Sequence, residues 1–146
     1  MNIESQVVNL ELSKRLKELG VNRESQFIWI CVIKTKFNFI KFRESFEPDS
    51  EIFGAFSYPS FNASELFEML PACIDIQKEE PFNFYWLHLQ KRTASNIQYI
   101  MNYRCDSFSP EVLQRVLLIH NIYDENLCDC LAKLLIHLIE NEYIEI

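Results

Sequence analysis

The sequence predicts an α+β fold. It reads as a single domain over residues 1–146, in which an antiparallel sheet of about four strands carries helices on one face. Three observations lead there. Residues 124–143 form a strongly apolar stretch of helical period with acidic residues at both ends. Residues 26–33 are apolar at nearly every position and rich in β-branched and aromatic types, the pattern of a strand buried on both faces. Over 96–103, Ile97, Tyr99, Met101 and Tyr103 alternate with Asn96, Gln98, Ile100 and Asn102, the period of a sheet with one wetter face.

The elements follow in order. After a lead-in over 1–8, Asn9 is placed to cap a helix over 10–19. Leu12, Leu16 and Leu19 share one face of it, while Lys14, Arg15, Lys17 and Glu18 lie elsewhere. Gly20 stands where a helix takes its left-handed terminating residue. The strand over 26–33 and a second over 37–42 make a hairpin around Lys34, Thr35 and Lys36. Residues 44–61, with Pro48, Gly54, Pro59 and scattered aromatics, read as irregular structure. Asn62 and Glu65 form the Asn version of a capping box, opening a short helix that Pro71 ends.

Strands over 82–90 and 96–103 are joined by a loop over 91–95. Ser109, Pro110 and Glu111 give the order of cap, first-turn proline and first-turn acid. That order predicts a helix over 110–121 burying Val112, Val116 and Ile119 beside Leu113 and Leu117. A break at Tyr123 and Asp124 precedes the last helix, 124–142, whose stripe is Leu127, Leu131, Leu134 and Leu138, widened by Leu135 and Ile139. The helices at 10–19, 110–121 and 124–142 are expected to cover the sheet, with strand 26–33 central and strand 96–103 nearer an edge.

Composition excludes more function classes than it suggests. The net charge is −7, and the second half is the more acidic: residues 74–146 carry eleven Asp and Glu against six Lys and Arg. An acidic chain repels phosphate backbones and anionic bilayers, so neither nucleic acid nor membrane is an expected partner. Two glycines leave no material for a Gly-rich phosphate loop. No run approaches the length of a membrane-spanning helix, and the first five residues lack the basic-then-apolar order of a secretory signal. Five cysteines, Cys31, Cys73, Cys105, Cys128 and Cys130, are then expected to be reduced in a cytoplasmic setting.

Candidate chemistry is sparse. Cys128 and Cys130, near His120 and His137, would need to converge to hold a metal, yet one residue of helix puts their thiols about 200° apart. No metal and no cofactor are expected. Cys105, at a strand end, is the cysteine with the best context for reactivity, although no signature of a catalytic cysteine surrounds it. Carboxylates cluster at element ends, where a solvated face explains them, and no hydrolase, kinase, zinc-protease or dinucleotide motif is present. Catalysis is therefore the less favoured class.

Aromatic residues are the more informative excess, with twelve Phe, six Tyr and two Trp. Phe53, Phe56, Tyr58 and Phe61 sit in the stretch read as irregular and are the candidate partner-binding residues. Phe82, Phe84, Tyr85 and Trp86 crowd one strand. The leading expectation is a non-catalytic module that binds another protein, alone or as a homodimer. The competing one is a small-molecule binder or enzyme with a pocket between sheet and helices, formed by Trp86, His88 and Tyr99.

Three stretches carry a resemblance. They are Leu10-Glu-Leu-Ser-Lys-Arg-Leu-Lys-Glu-Leu-Gly-Val21 running on through Glu24, Ser25 and the aromatic strand to Trp29, then Ala63-Ser-Glu-Leu-Phe-Glu-Met-Leu-Pro71, and the closing residues 132–144. In these the chain resembles a group of short uncharacterised proteins encoded by bacteriophages and prophages. The resemblance implies a small accessory protein acting in a bacterial cytoplasm by binding a host or phage protein. It brings no activity, ligand or catalytic residue with it.

Overall fold

The computed structural model describes residues 3–32, 37–45, 55–75, 84–93, 98–106, 115–117, 119 and 121–145. Asn9 caps the first helix, α1 (Leu10–Glu18), its Oδ1 accepting the Leu12 amide at 3.0 Å. Leu16 is the fully buried residue of its apolar face. The end of α1 is a Schellman motif: Val21 N donates to Leu16 O and Gly20 N to Lys17 O, with Gly20 at φ 90°. A side chain at position 20 would pay for that left-handed backbone, which is why glycine stands there.

Three strands follow: β1 (Phe27–Val32), β2 (Phe37–Phe42) and β3 (Ala55–Ser60), antiparallel in the order β2-β1-β3. β1 is central, as its doubly apolar pattern predicts, and Phe27, Ile28, Trp29 and Ile30 are all buried. The lead-in segment packs on this sheet through one carbonyl. Val8 O accepts from Trp29 Nε1 and Ser60 Oγ, each at 2.9 Å, so two polar groups enclosed by burial are satisfied together.

β3 corrects the expectation of irregular structure over 44–61. Pro59 argues against a strand, but it lies opposite Ile28 on an edge strand, where one side needs no ladder amide. Asn62 and Glu65 then form the expected capping box of α2 (Ala63–Met69). Glu65 does more than cap, since its carboxylate also accepts the Gln26 amide at 2.8 Å and the Ser25 hydroxyl at 3.2 Å. The start of β1 is thereby tied to the start of α2.

A second antiparallel sheet holds β4 (Cys73–Asp75), β5 (Phe84–Arg92), β6 (Gln98–Asp106), β7 (Arg115–Leu117) and β8 (Ile122–Asp124). The α+β class is as predicted, but the two long hairpin regions belong to separate sheets. β6 is interior and not near an edge: β5 pairs along one side, and β7 and β8 share the other. The alternation over 96–103 reports a wetter face, which is a property of faces and not of edges.

The helix expected over 110–121 is also overturned. Residues 109–114 lie outside the described set, while 115–117 and 122–124 are strands. The run Val116, Leu117, Ile119 and Ile122 is apolar on every side, so it satisfies a helical period and a buried strand equally. Pairing with the open side of β6 decides between them. Leu117 stands opposite Arg104 and Ile122 opposite Met101, so β7 and β8 pair with successive stretches of the same side of β6. Ile119, between β7 and β8 in sequence, is buried in the core.

α3 (Leu127–Glu140) lies on the second sheet, capped by Asn126, whose Oδ1 accepts the Cys128 amide at 2.8 Å. Leu131, Leu134 and Leu138 are fully buried with Leu16 of α1, Leu66 of α2, and Met101 and Tyr103 of β6. Each such leucine contributes on the order of 1.5–3 kcal/mol by burial. Asp129 ties this helix to the first one, accepting the Asn9 amide at 2.8 Å and the Asn9 Nδ2 at 2.9 Å. No helix among the described residues is long and apolar enough to cross a membrane.

Candidate partner-binding face

Directly opposed residues of an antiparallel pair point to the same side of the sheet, so the register sorts the second sheet into two faces. The inner face carries Ile74, Tyr85, Leu87, Tyr99, Met101, Tyr103 and Ile122, within or against the core beneath α3, and Leu89, which is 44 % exposed. The Tyr103 hydroxyl is consumed there, donating to Pro71 O, and burial pushes its acidity far to the alkaline side.

The outer face carries the alternate residues. Trp86 stands opposite Cys73 on one side and Arg104 on the other; His88 stands opposite Asn102; Ile100 lies between Gln90 and Tyr123. Phe84 is two residues before Trp86 on β5 and shares its side. Phe84 is 52 % exposed, Trp86 55 % and Tyr123 45 %. Between them the floor is closed: Ile100 and Asn102 are buried. Asn102 Nδ2 donates to Asn121 Oδ1 at 2.6 Å, and Asn121 Nδ2 donates to the Tyr123 hydroxyl oxygen at 3.0 Å. Asn102 Oδ1 is buried with no hydrogen-bond partner among the described residues, a cost of the kind that persists at sites kept for another purpose.

The sequence-predicted residues divide unevenly. Trp86 and His88 lie on the outer face, but Tyr99, opposite Lys91, lies on the inner one beneath the Lys91 ammonium at 5.7 Å from its ring centre. The three cannot line one pocket, because the register partner of Tyr99, Lys91, is offset by three from His88 and by five from Trp86, and odd offsets alternate faces of the pleat. Three grooves built from described residues, beside Phe42, Met69 and Ile28, are lined by none of them.

Phe53 lies outside the described residues. Phe56 is exposed at the rim of β3, and Tyr58 is half-buried with Lys14 and Lys17 ammonium groups 5.6 and 5.0 Å from its ring centre. Phe61 is fully enclosed in the core and presents no surface. Cys128 Sγ donates to Gln6 O at 3.1 Å, whereas Cys130 Sγ approaches Tyr99 O and Ile122 O at 3.6 and 3.5 Å. The two thiols serve different elements, and burial pushes the acidity of each up to about 11. Among the described residues no group of His, Cys, Asp and Glu is arranged to hold a metal ion.

Sequence reading missed Asn102, Arg104 and Tyr123 as members of this face. Arg104 and Asn102 were findable from the alternation on β6 once its pairing with β5 was granted. Tyr123 was not, because the segment before it reads as helix. Against protein-family models, curated proteins and solved structures the chain has no match.

Proposed function

We propose that this protein is a non-catalytic binding module that engages another protein through the outer face of its second sheet. The observation that carries the reading is the adjacency of Phe84 and Trp86, each more than half exposed, on a sheet whose other face packs Tyr85, Leu87, Met101 and Tyr103 into or against the core. Single exposed apolar residues are ordinary on protein surfaces, but neighbouring aromatics of this size mark interaction surfaces. Among the side chains described on that face, Arg92 and Arg104 stand against Asp75, a local reversal on a chain of net charge −7. The partner that fits is an apolar stretch flanked by acidic residues. The setting that goes with this reading is the one implied by the sequence resemblance: a phage- or prophage-type accessory protein in a bacterial cytoplasm.

The competing pocket of Trp86, His88 and Tyr99 loses its geometric basis, since a sheet separates its members. The test compares two exposed aromatics on different sheets. Full-length protein, Trp86→Ala and Phe56→Ala are used to capture partners from bacterial lysate, with thermal melting to verify each fold. Specific partners lost with Trp86→Ala and kept with Phe56→Ala support the outer face. Identical capture by all three forms overturns it.

A further inference from the structure

A second feature, independent of the sheet face, concerns the corner where α1, β1 and β3 meet. Lys17 of α1, Arg23 just beyond it and Arg43 just after β2 line one groove of about 310 Å³. Ser57 adds a polar wall, buried Ile28 an apolar floor, and Glu24 is the single acid in the lining. Three cations around one acid run against the charge of the whole chain.

Their existing contacts orient them without satisfying them as ions. Arg43 Nε donates to Ser25 O at 2.8 Å, which uses one of five guanidinium donors and fixes the plane of the group. Lys17 Nζ donates to Ser57 O at 3.0 Å, one of three protons, and lies 5.0 Å from the Tyr58 ring centre, so both contacts are with neutral groups rather than a carboxylate. Arg23 pairs with Glu68 at 3.2 Å, but both side chains are at least half exposed, and such pairs are weak and exchange readily.

We propose that this groove is a binding site for the phosphate group of a small anionic ligand. Cations supplied by three separate segments suit a tetrahedral group with oxygens pointing in several directions better than a planar carboxylate, which one guanidinium fork satisfies. The groove exceeds what a lone phosphate fills, leaving room over Ile28 and Ser57 for the remainder of the ligand.

Inorganic pyrophosphate, titrated into ¹⁵N-labelled full-length protein at low ionic strength, is the probe, with sodium chloride at matched ionic strength as the reference. Saturable shifts of the Asn22, Arg23 and Ser57 amides with pyrophosphate, and not with chloride, are expected. Arg43→Gln and Lys17→Gln should each weaken binding roughly tenfold or more, as loss of a charge-assisted hydrogen bond implies. Lys133→Gln on α3 should leave it unchanged, and Glu24→Gln should tighten it a few-fold. If Arg43→Gln loses its fold with the Ser25 contact, Lys17→Gln and Glu24→Gln decide. The proposal is overturned by equal shifts with chloride, by Lys17→Gln titrating as wild type, or by weaker binding in Glu24→Gln.

Discussion

The two faces of the second sheet are made from the same strands, residue by residue in alternation, yet they obey different rules. On the inner face Met101 and Tyr103 are fully buried under α3, and the Tyr103 hydroxyl is satisfied by Pro71 O. On the outer face Phe84 and Trp86 spread into solvent, and Asn102 keeps an acceptor with no partner among the described residues. Folding explains the buried part of the first face. The second carries apolar area that contributes little to stability while free, so the difference separates what the chain needs to fold from what it presents to something else.

The largest test of that separation is a pair of truncations. Met101→Ala should cost about 2–5 kcal/mol in urea denaturation, through lost burial and the cavity left beneath α3. Trp86→Ala, although it removes a larger side chain, should cost no more than about 0.5 kcal/mol. Equal losses would mean that the outer face is part of the core after all, and the contrast between faces would collapse.

Next in size is the tether that holds α3 against α1. Asp129 meets Asn9 through both carboxylate oxygens, and Asn9 in turn caps α1. Asp129→Ala leaves a backbone amide and a side-chain amide without acceptors, which should cost about 2–3 kcal/mol. Because this loss acts on the inner layer alone, residual partner capture by the folded fraction should be unaltered. A drop in capture beyond the unfolded fraction would show that the two faces are coupled.

The closed state of the inner layer also has an alkaline signature. Cys128 and Cys130 are held protonated by burial, each with its acidity pushed up to about 11 from an ordinary value of 9.0. The unfolded chain loses these protons first, so the native state binds more protons between pH 9 and 11. Stability should therefore be intact below pH 9 and fall as pH rises to 11, by about 1.4 kcal/mol per pH unit for each thiol. Urea midpoints of wild type and Cys130→Ser across that window measure the slope, which should shrink in the variant. For the same reason both thiols should resist iodoacetamide at pH 8, as mass mapping would show; rapid labelling there would mean that the layer opens.

The inner face was largely legible from sequence, and the outer face was only half so. Burial imposes a period on residues, and the stripe of Leu131, Leu134 and Leu138, the doubly apolar β1 and the Asn62–Glu65 cap could all be read from it. Pairing imposes none. Whether 115–124 becomes helix or strand depends on the open side of β6, far away in sequence, and apolar residues on every side of that segment satisfy both periods. The same long-range choice hid Tyr123 from the candidate site and put Tyr99 on the wrong side of Trp86 and His88. Phe61 was misplaced for a different reason: the strand character of β3 is masked by Pro59, and the chain entering α2 turns inward there.

The smallest expected effect is a gain, and it isolates α3 from the face it does not touch. α3 ends as α1 does, with Tyr143 N donating to Leu138 O and Glu142 N to Ile139 O. At the matching position α1 has Gly20 at φ 90°, whereas α3 has Glu142 at φ 58°. A side chain in that left-handed conformation is strained by about 1–2 kcal/mol, partly offset by the greater freedom a glycine loses on folding. Glu142→Gly should therefore stabilise the protein by about 0.5–1 kcal/mol. Thermal melting gives the sign, and the amides of Phe84, Trp86 and Tyr123 should keep their chemical shifts. A more stable protein with an unmoved outer face and unchanged partner capture is what independence of the two faces requires; a gain in stability accompanied by altered capture would place α3 within the binding mechanism.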